Sequence, residues 1–317
     1  MSTLTAATAP PPGGGPAAAA LAARIPVPLR LPLRYDGEPL RHLSPSSYNR
    51  FLLCPEDWRR HYLLGQRFAA TGAMFLGGRV DDTLSLYYRH MLNGGEPMSL
   101  DQLRDAYRDR WTAELAAESN QRGIDWEDDL DEQRGFKLGL AALELTFTEL
   151  VPQLGRPVAV QRRLEYALAP GLEWTVQCFL DLETIRSSGE HPLPAVVDYK
   201  VKSTPLTRAK ADNDPQAGLY LAGRWLQGDP ASEFCFAQIA KPGPRRKQMS
   251  ASLVATTRTH GQLRGVLARI AQAASQIVAC YERFGPDRPW GFADPAGWKC
   301  SQRYCSHHAR CPGGAGV

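Results

Sequence analysis

Val196-Val197-Asp198-Tyr199-Lys200 is the stretch that decides how this chain reads. An apolar strand ends there in an acid and a lysine two residues apart, so both side chains leave the same face. The preceding apolar strand, Cys178-Phe179-Leu180-Asp181-Leu182, delivers a second acid. Two carboxylates and a lysine on neighbouring strand ends form a site for a hard divalent cation, Mg²⁺ or Mn²⁺, and for activating water. Phosphodiester hydrolysis needs that water and positive charge beside the phosphate, and Lys200 can orient the one or supply the other. In isolation, Asp-Tyr-Lys is ordinarily a solvated strand end. The acid on the neighbouring strand weighs against that reading.

Outward from this stretch the hydrophobic period changes. Upstream, helices are predicted over Ser47–Leu64, with a kink or break at Cys54-Pro55, and over Phe75–Met91, Leu100–Ser119 and Arg134–Leu150, with a loop over 125–133. Strands are predicted over Val158–Leu168, Trp174–Ile185 and Ala195–Lys200, with a turn at Ser187-Ser188-Gly189-Glu190. A helix over Pro215–Trp225, strands over Phe234–Ala240 and Met249–Ala255, and a long helix over Thr259–Phe284 follow. The fold class is therefore α/β, with a helical front half and a mixed core. The predicted organisation is an Ala/Pro/Gly-rich disordered tail and lead-in (1–42), a helical part (43–155), a core (156–290) and a cysteine-rich end (291–317).

The 317 residues are 43% hydrophobic and 22% charged, enough to bury a sizeable core. A net charge of +4 permits an anionic partner without demanding one. No apolar run approaches the roughly 18 residues of a membrane span, and the first residues lack the charged start of a signal peptide. Seven cysteines, an odd count, suit metal-binding thiolates better than a secreted disulfide framework. A cytoplasmic location is expected.

Gln216 and Tyr220 lie four apart on one face of the helix after the Asp-Tyr-Lys strand. With this helix the chain resembles the PD-(D/E)XK nuclease superfamily, in its RecB-like exonuclease branch, which includes AddB nuclease domains and CRISPR-associated exonucleases. The resemblance runs from about Leu43 to Cys311. It implies a restriction-endonuclease-like core in which a central mixed sheet is flanked by helices. Asp181 would be the first motif acid, Asp198 and Lys200 the D/E-x-K pair, and Gln216 with Tyr220 the Q-x-x-x-Y helix. The family's early helix carries a metal-binding histidine in a G-x-x-x-H setting. Here Gly77 is followed by Asp81, which would bind metal or stand as a surface acid, and His90 is too far along to substitute. Glu165 is a further acid that would reach the site or be solvated.

Cys300, Cys305 and Cys311 form C-x₄-C-x₅-C near the chain end, and Cys54 offers a fourth thiolate from the front. By the same resemblance these four would hold a [4Fe–4S] cluster clipping the two chain ends together. The competitor is zinc, on Cys₄ or on Cys₃ with His307 or His308. The family's first two late cysteines are usually closer. Cys178, Cys235 and Cys280 read as buried small hydrophobes.

Lys241-Pro-Gly-Pro-Arg245-Arg246-Lys247 is a basic turn that could contact phosphates without reading sequence, or be a solvated hairpin tip. Arg59, Arg60 and His61 form a second candidate patch. Tyr48, Trp58 and Tyr62 read as core before base-stacking platforms. The resemblance implies a metal-dependent exonuclease acting on DNA ends in recombination or repair, with a helicase or recombination partner and a phage-encoded setting as one option. A structure-specific endonuclease and a catalytically weakened DNA-binding module are the alternatives.

Overall fold

The computed structural model describes residues 31–314 except 128–129, 169–172, 189–190 and 244–245. Gly189 and Glu190 of the predicted turn fall outside the described residues. Five long strands build the sheet: β4 (Arg156–Ala167), β5 (Thr175–Ser188), β6 (His191–Lys202), β7 (Glu233–Ala240) and β8 (Ser250–Thr256). β6 pairs parallel with β7, and the β4–β5, β5–β6 and β7–β8 pairs are antiparallel. A two-residue strand, β1 (His42–Leu43), lies parallel to the start of β5. β2 (Ala70–Thr71) and β3 (Ile124–Asp125) form a small separate pair.

β6 starts earlier than predicted and includes Pro192 and Pro194. Its pairing with β7 begins only at Ala195, so these prolines, which lack an N–H, stand where one side of the strand is unpaired.

Each sheet face has its own core. On one face lie α1 (Pro45–Leu53), α8 (Pro215–Leu226) and α9 (His260–Phe284), sharing Trp58, Leu164, Leu180, Val196 and Ile270. On the other lie α3 (Gly72–Leu92), α4 (Leu100–Gln121) and α5 (Glu132–Leu145), sharing Leu76, Leu84, Tyr107, Leu182 and Val197. Hydroxyl or carboxylate caps start these helices: Thr71 for α3, Ser99 for α4, Asp131 for α5 and Thr259 for α9, the second and fourth as full capping boxes. Two short helices are α6 (Val151–Leu154) and α7 (Arg208–Asp212); α7 has no counterpart in the sequence prediction. Gly223 lets α8 lie directly on β4, since a Cβ there would meet the Leu164 and Tyr166 side chains at 2.5–2.6 Å.

The predicted break in the first helix is real. Cys54 is extended, α2 (Pro55–Trp58) restarts the chain, and a π-helical turn follows over Arg59–Leu63. This turn latches onto the far end of the chain. Glu56, 1% exposed, accepts from the backbone N–H of Trp290 at 2.9 Å, and its own N–H donates to Gly291. Trp290 stacks on Trp58 with ring centroids 5.6 Å apart. Arg59 is buried, donates twice to Glu56 and also reaches the Pro286 carbonyl, while Arg60 pairs with Glu56. The Arg59-Arg60-His61 patch predicted to touch nucleic acid is therefore part of the latch. A charged residue reads as exposed in a sequence until its buried partner is known.

His61 sits in this latch with its pKa lowered to about 4, by burial first and then by Arg50 and Arg67. A folded pKa below the unfolded one contributes stability that is lost as pH falls from about 6.5 toward 4. Partial exposure screens the effect, so about 1–2 kcal/mol is expected. Urea unfolding at pH 7 and pH 4.5 checks this: His61→Gln should lose less stability than wild type, and equal losses would remove His61 as a cause.

Candidate active site

β5 and β6 part company in the middle of the sheet. Their ladder runs only from Leu182↔Val197 outward, and β1 covers only Thr175 and Val176 on that side of β5. Residues 177–181 therefore line a split, and the backbone groups freed there need partners. The Asp181 carboxylate accepts the Tyr199 N–H at 3.1 Å, and the Tyr220 hydroxyl donates to the Phe179 carbonyl at 2.8 Å. The split opens into a cleft of about 910 Å³ whose lining includes Gly77, Gly78, Asp81, Asp181, Asp198 and Lys200.

Four elements supply the site. β5 brings Asp181, and β6 brings Asp198 and Lys200 from one face of the strand. Asp198 is 2% exposed and meets the Lys200 ammonium at 2.5 Å. α8 starts beside them, capped by Asp214, whose carboxylate accepts from the Gln216 and Ala217 N–H groups, with Pro215 opening the helix. This cap aims Gln216 so that its amide donates to Asp198 at 2.6 Å and lies 3.2 Å from the Tyr220 hydroxyl. The Gln-Tyr pair thus supports the site: one orients an acid, the other pins the strand beside Asp181. α3 supplies Asp81 from the opposite sheet face, and the two faces communicate only because the sheet is split here.

The electrostatics are those of a site short of positive charge. Burial raises Asp81 to about 7, with Asp82 and Asp198 adding repulsion. Asp181 is pushed well above the usual carboxylate range by burial and then by Asp198 and Asp81. Burial alone would lower Lys200, but Asp198 and then Asp181 hold it above its ordinary value, so it keeps its proton. A protonated lysine can donate to water or a phosphate oxygen but cannot act as a base. Three carboxylates against one ammonium fit a hard cation. Among the described residues, no three His, Cys, Asp or Glu side chains converge as a complete metal cage, here or at the cysteines.

Two residues that the sequence reading passed over bear on the cleft. Gln161 of β4, behind the lining, donates to Asp81, and Arg67 lies exposed in the lining itself. Nothing in their local sequence marks either one. Other predicted residues lie elsewhere. Glu165 is on the solvent side of β4, bonded to Thr175 and Arg163, and does not line the cleft. Arg245 lies outside the described residues. Arg246 reaches the backbone carbonyls of Ser203 and Lys241, and Lys247 is exposed. Tyr48 and Trp58 are core, as predicted, and Tyr62 packs against it. Cys178 and Cys235 are buried, while Cys280 is only half-buried because it lies toward the solvent side of α9.

The cysteine-rich segment packs against the Cys54 turn. Lys299 pairs with Asp57 at 3.0 Å, and His307 lies 3.8 Å from the same carboxylate. Cys54 and Cys311 are buried, and Cys300 and Cys305 are half-buried. Burial raises the Cys54 and Cys305 thiols, and Cys305 is close enough to feel Cys54. The Cys54 sulfur accepts the Asp57 N–H, and the Cys300 thiol donates to the Gly313 carbonyl.

No curated protein matches the chain. Among solved structures, a candidate exonuclease from Eubacterium rectale is similar at 16% identity over 82% of this chain and 87% of its own, with a TM-score of 0.49. A protein designated SSO0001 is similar at 12% identity over 87% of both chains, with a TM-score of 0.37. The family model of the PD-(D/E)XK nuclease superfamily matches residues 42–312, a span that contains the split sheet and every residue of the cleft. The chain belongs to the PD-(D/E)XK nuclease superfamily.

Proposed function

We propose that the protein is a Mg²⁺- or Mn²⁺-dependent deoxyribonuclease of the RecB-like kind that cuts DNA from its ends, in recombination or repair. The observation that carries this reading is that Asp81, Asp181, Asp198 and Lys200 line one open cleft. Asp181 and Asp198, with Asp81, would hold the metal, which supplies Lewis acidity and an activated water when bound. Gln216 keeps the Asp198 carboxylate turned toward the cleft. Lys200 donates a hydrogen bond to the water or to a non-bridging phosphate oxygen and offsets the charge that builds there. Arg67 offers the strand a phosphate contact in the same cleft. Linear duplex DNA should be degraded in Mn²⁺ and spared in EDTA, while covalently closed circles remain intact. Nicking or linearisation of the circles would turn the reading to an endonuclease.

Cys54, Cys300, Cys305 and Cys311 are proposed to hold a [4Fe–4S] cluster, with zinc as the alternative. The support is that the late cysteine segment is docked on the Cys54 turn, so thiols from both chain ends share one neighbourhood. These side chains would close around the group from their present hydrogen bonds. Anaerobically purified protein should be brown and carry about four irons per chain. One zinc and no colour would assign zinc.

A further inference from the structure

We propose that Gln161 is a positioning residue that fixes Asp81 for metal binding. This rests on the metal-site reading of the cleft. Gln161 has φ of +50°, the one left-handed non-glycine among the described residues. Such a backbone costs on the order of 1–3 kcal/mol and persists only where its surroundings impose it. Gln161 lies between the β4–β5 partners Val160↔Leu182 and Arg162↔Leu180, and so stands across from Asp181. The two strands change face at this point. Leu164 and Leu180 pack in the α8–α9 core, while Leu182 belongs to the α3 core and Val160 packs against it.

Regular alternation would place residue 161 with Arg163 and Glu165, which are exposed. The left-handed turn instead carries its side chain to α3. There its amide nitrogen lies 3.0 and 3.3 Å from the two Asp81 oxygens and 3.1 Å from the Ser85 hydroxyl. Ser85 is one helical turn beyond Asp81, so the amide spans both. A neutral donor suits this place: a carboxylate would add to the repulsion, and an ammonium would compete with the cation. Partners that orient metal ligands typically change metal affinity by about 10–100-fold when removed.

The test uses the full chain, stripped with EDTA and titrated with Mn²⁺, for wild type, Gln161→Gly, Gln161→Met and Asp198→Ala. Glycine adopts this φ freely, so Gln161→Gly should melt at or above the wild-type temperature. Its Mn²⁺ affinity should fall about 10–100-fold, and cleavage should need correspondingly more Mn²⁺. Gln161→Met, which keeps the side-chain length without the donor, should weaken Mn²⁺ binding similarly. Wild-type affinity in both Gln161 variants, with Asp198→Ala impaired, would overturn the positioning role alone. Wild-type affinity in Asp198→Ala as well would overturn the metal site itself. A glycine variant that melts lower in proportion to its lost affinity would make the effect structural and also overturn the proposal.

Discussion

An Asp198→Ala variant is expected to cut DNA about a thousandfold more slowly, or not at all, while remaining folded. The carboxylate is buried where the two strands part, with Lys200 on one oxygen and Gln216 on the other. Loss of a buried charge often unfolds a protein by orphaning its partner. Here Lys200 still has Asp181 in range, and the Gln216 amide still faces Tyr220. Removing Asp198 also relieves the repulsion that lifts Asp81 and Asp181. The metal-free variant should therefore melt within a few degrees of wild type. Cleavage of linear DNA in Mn²⁺, measured beside circular dichroism melting, separates the two quantities. A variant that cuts at the wild-type rate would place the chemistry elsewhere.

The largest expected effect on stability is at Glu56. Its carboxylate receives both Arg59 donors, Arg60 and the Trp290 N–H, and almost none of it meets solvent. Glu56→Ala leaves the Arg59 guanidinium buried with the Pro286 carbonyl as its remaining acceptor among these contacts. Breaking a buried pair from one side costs about 3–5 kcal/mol, a large part of the 5–15 kcal/mol that folded proteins typically have. Urea unfolding should show the midpoint moving far to the left, and Glu56→Gln should recover part of it. A change below about 1 kcal/mol would mean that the latch contributes little. Since Glu56 does not line the cleft, cleavage per folded molecule should persist.

The parts of this structure visible in the sequence are those with a local period or a short ordered motif. Asp-Tyr-Lys and Gln216/Tyr220 could be read because strand and helix periods place each pair on one face. The break at Cys54-Pro55 could be read because proline has a local steric consequence. What escaped depends on partners distant in sequence. Glu56, Arg59 and Arg60 look like a solvated helical run until residue 290 is placed against them. Gln161 carries no local sign of a left-handed backbone, because the strain is imposed by the strand crossing and by Asp81 80 residues away. β1, two residues long, forms only because β5 offers it an edge. Glu165 followed the alternation of its strand, and that alternation takes it to solvent.

The latch between residues 56 and 290 also bears on synthesis at the ribosome. Its two halves are 234 residues apart. At typical elongation rates the first half waits on the order of 10–50 s before its partner leaves the exit tunnel. During that interval Arg59 lacks the Pro286 carbonyl, and Trp58 lacks the Trp290 ring that stacks on it in the finished fold. The front turn of a nascent chain is thus completed only once residue 290 has been made. The same interval is when the chain most needs a chaperone, and slow codons late in the message would lengthen that exposure.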